Sequence, residues 1–343
     1  MKNYADRETD KRLKSLEGRI REVYTDALRD LDRIIKEYWG GREYIDSNGD
    51  KKKTQSYYDR EKEMQALVDA GKMTPEAFQQ WKINNLGRGQ RFEAMRDALA
   101  ARLTDANALA REYARESASG VYALHKNFEA YNIEREVGVL DNWTLFNENA
   151  VRRNLVNEPN LMPKYTPPPE LELEIDYEYG KRQIRKEVTS AILSGAPLRQ
   201  IADRLAENLV NMDHVSAVRT ARTAYTSAQN AGRMDSMDEA EEMGIKIRKK
   251  WVSTLDVKTR SSHQDMDGVI VDRGEPFPNG LMYPGDKSGE PGEVYNSRCT
   301  MVSVIGDHDF HGKRRARNPE TGKNELVENM TYHEWARMKG LEK

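Results

Sequence analysis

Between residues 8 and 39 the apolar positions Leu13, Leu16, Ile20, Val23, Ala27, Leu31, Ile34 and Tyr38 recur at steps of three and four. Charges fill the other faces, which is the pattern of an amphipathic helix, and Gly40 and Gly41 end it. At 1.5 Å per residue such a helix is about 45 Å long, a length suited to lying along a partner or another long helix. A short helix pair follows near 59–71 and 74–85, with Thr74 as cap and Pro75 as first helical residue. A second long helix is expected over about 90–128, carrying Phe92, Met95, Leu99, Leu103, Leu109 and Tyr113. Trp143, Leu145 and Phe146 then read as a knot docked on that bundle.

The pattern changes at NEPNLMPKYTPPPELELEIDYEYG. Pro159, Pro163 and the Pro167–Pro169 run favour extended backbone, so residues 161–180 read as a crossing between domains. Beyond it Ile184, Val188, Ala191 and Ile192 mark a helix closed by Gly195. Pro197 opens the next, with Leu198, Ile201, Leu205 and Leu209 on one face. A third, about 214–243, carries Ala217, Ala221, Ala224, Ala228 and Ala231, a narrow stripe that lets another helix come close.

After Gly244 the period becomes two. Ile245, Ile247 and Trp251 take one face, with Lys246, Arg248 and Lys250 on the other. Residues 268–273 and 299–305 are further short strands. The Gly- and Pro-rich segment between them holds Phe277, Met282 and Tyr283 and is expected to be an ordered wrapping loop. The expected class is α+β and mostly helical. A long-helix region (1–160) and the crossing (161–180) lead to a small helical and short-sheet domain (181–305), then a basic tail with a terminal helix (306–343).

Charge and composition narrow the function only a little. Lys and Arg (55) nearly balance Asp and Glu (57), so the net charge of −2 makes no general case for a polyanion partner. No apolar run approaches the roughly 20 residues that cross a bilayer, and residues 1–19 lack the apolar stretch of a secretory signal. The single cysteine, Cys299, rules out an intrachain disulfide and suits a reducing compartment. In the loop DSNGDKKKTQSYYD, Asp46, Asn48 and Asp50 imitate a calcium loop. Lys51 stands where its glycine belongs and Tyr57 where its bidentate glutamate belongs, so no calcium is expected.

The chemistry-bearing stretch is WVSTLDVKTRSSHQDMDG, residues 251–268. Asp256, His263, Asp265 and Asp267 are metal-ligating types, and Cys299 or His308 could complete a shell. The spacing is loose, however, and contains neither CxxC nor HxxxH. A metal-dependent nuclease or hydrolase would centre on Asp256 and His263, with Arg260 on a phosphate. A cysteine nucleophile would pair Cys299 with His263. The alternative is a polar lock: Asp256 caps a turn, Arg260 pairs with Asp256, Asp265 or Asp267, and His263 bridges strand to loop. No cofactor is called for. The basic run Lys313, Arg314, Arg315 and Arg317 is a candidate nucleic-acid contact, as are Lys246, Arg248 and Lys250.

The order of these features resembles a known family. Arg222 and Thr223 precede Trp251 and Asp256; Arg260 and His263 follow, then Asp267 and Gly268. Phe277, the run Tyr283, Pro284, Gly285, Asp286, and finally Asn296, Arg298 and Cys299 complete the set. The chain is similar over about 180–305 to the phage Mu F-like domain of minor head (SPP1 head morphogenesis) proteins of tailed bacteriophages. Ala224 stands where the family often has Glu, and Ser297 where it often has a first cysteine, so a paired-thiol site is not available. The resemblance implies a non-enzymatic, low-copy capsid protein. It would meet the portal protein and the inner capsid or scaffold at the portal vertex inside the procapsid, and possess a role in packaging or delivering DNA. It would be assembled in the host cytoplasm and end in the virion, with no membrane partner. By the same reading the long helices of residues 1–160 are the portal or capsid contact, and deleting residues 1–39 is expected to abolish incorporation into procapsids while leaving the C-terminal domain folded.

Overall fold

The computed structural model describes residues 3–41, 43–138, 169–306 and 313–341, with side chains from residue 173 onward in the third stretch. Trp143, Leu145, Phe146, Pro159, Pro163, Pro167, Pro168 and His308, singled out above, lie outside the described residues.

The chain begins with α1 (Tyr4–Trp39), a hairpin of β1 (Glu43–Ile45) and β2 (Lys51–Lys53), and the short helices α2 (Tyr57–Asp69) and α3 (Pro75–Leu86). Long helices follow: α4 (Gln90–Val137), α5 (Pro169–Leu193) and α6 (Leu198–Glu242). Then come β3 (Ile247–Val252), α7 (Ser261–Met266), β4 (Ile270–Asp272), α8 (Pro291–Val294) and β5 (Thr300–Ile305). The hairpin β6 (Arg314–Arg317) and β7 (Asn324–Val327) and helix α9 (Tyr332–Met338) close the described chain. The class is α+β, as the pattern of apolar positions indicates.

The described residues group into two compact units. One comprises Met1–Gly18, Arg111–Thr166 and Val218–Lys343; the other comprises Arg19–Ala110 and Pro167–Ala217. Helices α1, α4 and α6 contribute residues to both.

In the second unit Tyr24 donates to Asn107 Oδ1 (2.5 Å), whose amide donates to Asp213 (3.1 Å), so α1, α4 and α6 meet there. Helix α5 lies close against α4: a Cβ on Gly180 would stand 3.4 Å from the Ala100 methyl. Both carboxylate oxygens of Glu61 in α2 accept from the Leu198 N–H (3.0 and 3.1 Å), satisfying an otherwise orphaned donor at the start of α6. Ser56 and Thr74 cap α2 and α3 in the ordinary way, their side chains accepting from Asp59 and Ala77.

In the first unit the three-stranded sheet runs β4–β3–β5, all antiparallel, with Trp251 opposite Met301 and Lys250 opposite both Ile270 and Val302. Its core joins Ile247 and Met301 to Met234, Met237 and Ala240 of α6 and to Ile133 of α4. Gly232 permits the approach of α6 to α4, since a Cβ there would come within 2.4 Å of the Tyr122 carbonyl oxygen.

Several local expectations are corrected. In α1 the buried line continues Leu31, Ile35, Trp39 instead of Ile34 and Tyr38, because the packed helix takes steps of four. In α4 the stripe passes from Leu103 to Ala106, Ala110, Ala114 and Ala118, and Leu109 is exposed; close helix contact selects small residues over large ones. Residues 46–50 turn a hairpin, with Asp46 Oδ1 accepting from the N–H groups of Asn48 and Asp50. Residues 169–180, read as an extended crossing, are helical: Pro169 sits at the first position, where its missing N–H costs nothing. The helices expected after Pro197 and over 214–243 are one helix, α6, of 45 residues. The basic tail is folded: Ala316, Tyr332, Trp335 and Ala336 bury against Leu255.

Candidate functional site

The stretch after β3 is drawn together by Ser253. Its hydroxyl donates to the His263 carbonyl (2.5 Å) and accepts from Trp251 Nε1 (3.0 Å), while its N–H donates to Asp267 Oδ1 (2.7 Å). The His263 ring stands edge-on to Trp251, centroids 5.2 Å apart, and Phe277 of the wrapping loop packs on the same indole at 5.1 Å. His263 and Cys299 do converge, Nδ1 lying 3.3 Å from Sγ, and Nε2 lies 3.0 Å from Glu293 Oε2.

A thiol, an imidazole and a carboxylate in line is the order of a nucleophile, a base and an orienting group. The environment runs against that chemistry. Burial pushes the His263 pKa down, outweighing the Glu293 carboxylate, and burial pushes the Cys299 thiol up. Both side chains are almost completely covered. A protonated thiol donating to Nδ1 leaves the ring proton on Nε2, facing Glu293. The line is a closed brace between α7, α8 and the start of β5.

Asp256 is not part of it. Its carboxylate receives both terminal nitrogens of Arg298, one at 2.7 Å, and the Lys258 N–H at 2.8 Å, so it caps its turn as expected. Burial raises the Asp256 pKa, yet the Arg298 guanidinium more than offsets this and holds the carboxyl below its ordinary range. The expected guanidinium partner was Arg260; that side chain instead donates to the Tyr295 carbonyl. Asp265 is turned outward to His333 (3.2 Å). Among the described residues no three His, Cys, Asp or Glu side chains gather as metal ligands.

Asp267 is the second carboxylate of the lock. Arg314 grips it with both nitrogens (2.8 and 3.0 Å) and also donates to the Ser253 carbonyl (2.6 Å); the Tyr332 N–H donates to Asp267 Oδ2 (2.5 Å). Gly268 follows in the left-handed region (φ 86°), the turn that carries Val269 back to β3. The basic run is therefore divided. Arg314 is committed to Asp267, Lys313 pairs with Glu328 (3.2 Å), and Arg315 and Arg317 remain exposed.

Helix α6 is the platform for the rest. Thr223 accepts from the Asn296 N–H (3.0 Å), holding a residue with φ of 58°, and Thr226 donates to the Ser297 carbonyl (2.7 Å). Asn230 donates to the Pro284 carbonyl (2.9 Å) and accepts from the Met301 N–H (3.2 Å). Arg222 lies at the surface, on Glu17 (2.7 Å). In the Tyr283–Asp286 turn, Asp286 accepts from the N–H groups of Met282 (3.0 Å) and Ser288 (2.9 Å). Gly285 is required there twice over: its φ is 81°, and a Cβ would stand 3.0 Å from the Ser227 nitrogen.

Two important side chains carry no motif. Arg233, at 2% exposure, donates to Thr300 Oγ1 (2.9 Å), the Met301 carbonyl (2.6 Å), His125 Nδ1 (3.3 Å) and Asp6 (2.9 Å). His125 is held neutral by burial first and by the Arg233 charge second, and its other nitrogen meets Thr9 (2.8 Å). The signal was present in the sequence: Thr223, Thr226, Asn230 and Arg233 step by three, four and three.

Lys249, alternating with Ile247 and Trp251 on the inner face of β3, is fully buried; its ammonium donates to the Met282 carbonyl (2.8 Å) and sits 5.3 Å from the Phe277 ring. Burial, then the Arg273 cation, lowers its pKa from 10.5 to about 8. Between those values the unfolded chain holds the extra proton, so this group makes stability rise with pH across that window, by at most about 3 kcal/mol. Urea midpoints measured from pH 8 to 10 should climb more steeply for the parent than for Lys249→Met; parallel curves would refute the assignment.

Residues 182–302 match the family described as phage Mu protein F like protein. Among curated proteins, the NAD(+)--arginine ADP-ribosyltransferase EFV of Enterococcus faecalis is 28% identical over 228 residues, 65% of this chain and 43% of that protein. The minor head protein GP7 of Bacillus phage SPP1 is 31% identical over 101 residues, 28% of this chain and 31% of that protein. The chain spans less than half the length of either relative. No solved structure is matched significantly. The segment that holds the helix platform, the wrapping loop and the two locked carboxylates is thus the part of the chain that matches the phage Mu protein F like family.

Proposed function

We propose that this chain is a minor head protein of a tailed bacteriophage, a low-copy, non-enzymatic part of the capsid interior that joins the portal vertex during assembly in the host cytoplasm. The family match over residues 182–302 carries the reading, and the SPP1 relative named a minor head protein supports it. The name of the Enterococcus relative suggests a second reading, an enzyme. The bonding of the polar cluster favours the first: Asp256 is spent on Arg298, and His263 and Cys299 are closed from solvent.

The test is co-assembly. Expressed with the portal, scaffold and major capsid proteins of its phage, the chain is expected in procapsids at a few copies per particle, and absent from shells made without portal. Equal content in portal-free shells would remove the portal assignment. Deleting residues 1–39 is a poor probe of this, contrary to the expectation from sequence, because α1 supplies Asp6 to Arg233 and Thr9 to His125.

A further inference from the structure

Helix α5 carries its charge in two blocks. Up to Gly180 it has five acidic residues and no base; beyond Gly180 it has four bases and one acid. Glu174, Glu178, Arg182 and Lys186 follow one another at steps of four, so they form a single ridge, and all four are exposed. Beside that ridge Ile175 and Tyr179 are 48% and 41% exposed. The buried face of the helix is the opposite one, where Gly180, Ile184 and Val188 lie.

The helix macrodipole favours acids near the start and bases near the end, but its effect fades within one turn. Arg182 and Lys186 stand about two or three turns before Leu193, and the dipole gives no reason for isoleucine and tyrosine to face water. Among the described residues the only ion pair made along the ridge is Glu178 with Lys181 (2.9 Å), an exposed i,i+3 contact of the kind that contributes little.

We propose that this face of α5 binds the same face of a second copy of the chain, with the two helices antiparallel about a two-fold axis near Gly180. Reversal about that point sets Glu174 opposite Lys186 and Glu178 opposite Arg182, twice over, and brings Ile175 and Tyr179 of both copies under cover. A two-fold contact requires such a self-complementary surface, and a block of acids followed by a block of bases is its simplest form. A single helix pair covers less than the roughly 1,600 Å² of a standard stable interface. The dimer is therefore weak, and it dissolves as salt screens the charges.

Sedimentation velocity on the full chain tests this. The parent is expected to shift from monomer toward dimer with rising concentration at low salt, and to return to monomer near 1 M salt, where the screening length is about 3 Å. Arg182→Glu with Lys186→Glu should abolish the shift, and so should Glu174→Lys with Glu178→Lys. An equimolar mixture of these two variants should restore it. All four positions are exposed, so unchanged helical circular dichroism is expected of both. A parent that stays monomeric, a variant that dimerises as the parent does, or a mixture that stays monomeric would each overturn the proposal. So would a monomeric parent whose basic block instead binds duplex DNA in a salt-dependent way.

Discussion

Asp267→Ala is expected to destabilise the protein by about 3–5 kcal/mol and to release residues 313–341 from the domain. Removing this carboxylate leaves the Arg314 guanidinium, 10% exposed, without its counter-charge, the situation in which breaking a covered ion pair is most costly. It also strips acceptors from the N–H groups of Ser253 and Tyr332, each a buried donor that then pays its own desolvation cost. Those two donors belong to separate segments, one at the end of β3 and one at the start of α9. The lost bonds are among those that fasten α9 over Leu255, beside the Tyr332 hydroxyl on the Asp256 carbonyl and the apolar packing of Trp335. Limited trypsin digestion should therefore cut the variant first after Arg314, Arg315 or Arg317, before the body of the domain opens. The double change Asp267→Asn with Arg314→Met should recover part of the loss, because no charge is then left alone. An unfolding midpoint equal to that of the parent would contradict the role given to this pair.

Arg233→Met is the other large effect, again about 3–5 kcal/mol, but with a different signature. Arg233 joins α1 through Asp6, α4 through His125, and β5 through Thr300 and Met301, so its loss weakens contacts across the first unit at once. No single segment should come free; the whole transition should move to lower denaturant with its slope unchanged. The carbonyl of Met301 and the carboxylate of Asp6 lose a charged donor, while His125 retains Thr9. Because Arg233 and His125 touch, Arg233→Met and His125→Phe should be non-additive, and a double-mutant cycle measures by how much. Additive losses would mean that the two side chains act separately.

These two arginines mark the limit of what could be read from the chain. Helix positions follow from periodicity, because the core-facing stripe must repeat at 3.6 residues whatever it packs against. The wrapping loop was also legible: Phe277 had to be buried in a segment too rich in glycine and proline for regular structure, and it packs on Trp251. Asp256 as a turn cap was legible because the bond to the Lys258 N–H is local. Its guanidinium partner was not, since Arg260 is four residues away and Arg298 is forty-two, and only the closed loop brings the latter near. Lys249 was passed over for a similar reason. Alternation put it on the inner face, yet a lysine between Ile247 and Trp251 is tolerable only where a carbonyl such as that of Met282 is waiting.

The sequence by itself determined the α+β class, the long helices, the strand after Gly244 and the ordered motif from Arg222 to Cys299. Each depends on period, on turn chemistry or on residue order, all of which are properties of neighbours along the chain. Tertiary structure alone decided that 198–242 is one helix, that residues 313–338 belong to the folded domain, and that Arg314 pairs with Asp267. It also decided that His263 and Cys299 meet in a closed interior. Those outcomes turn on which charge is desolvated beside which partner. That energy is set by distances across the fold, and spacing along the chain does not encode it.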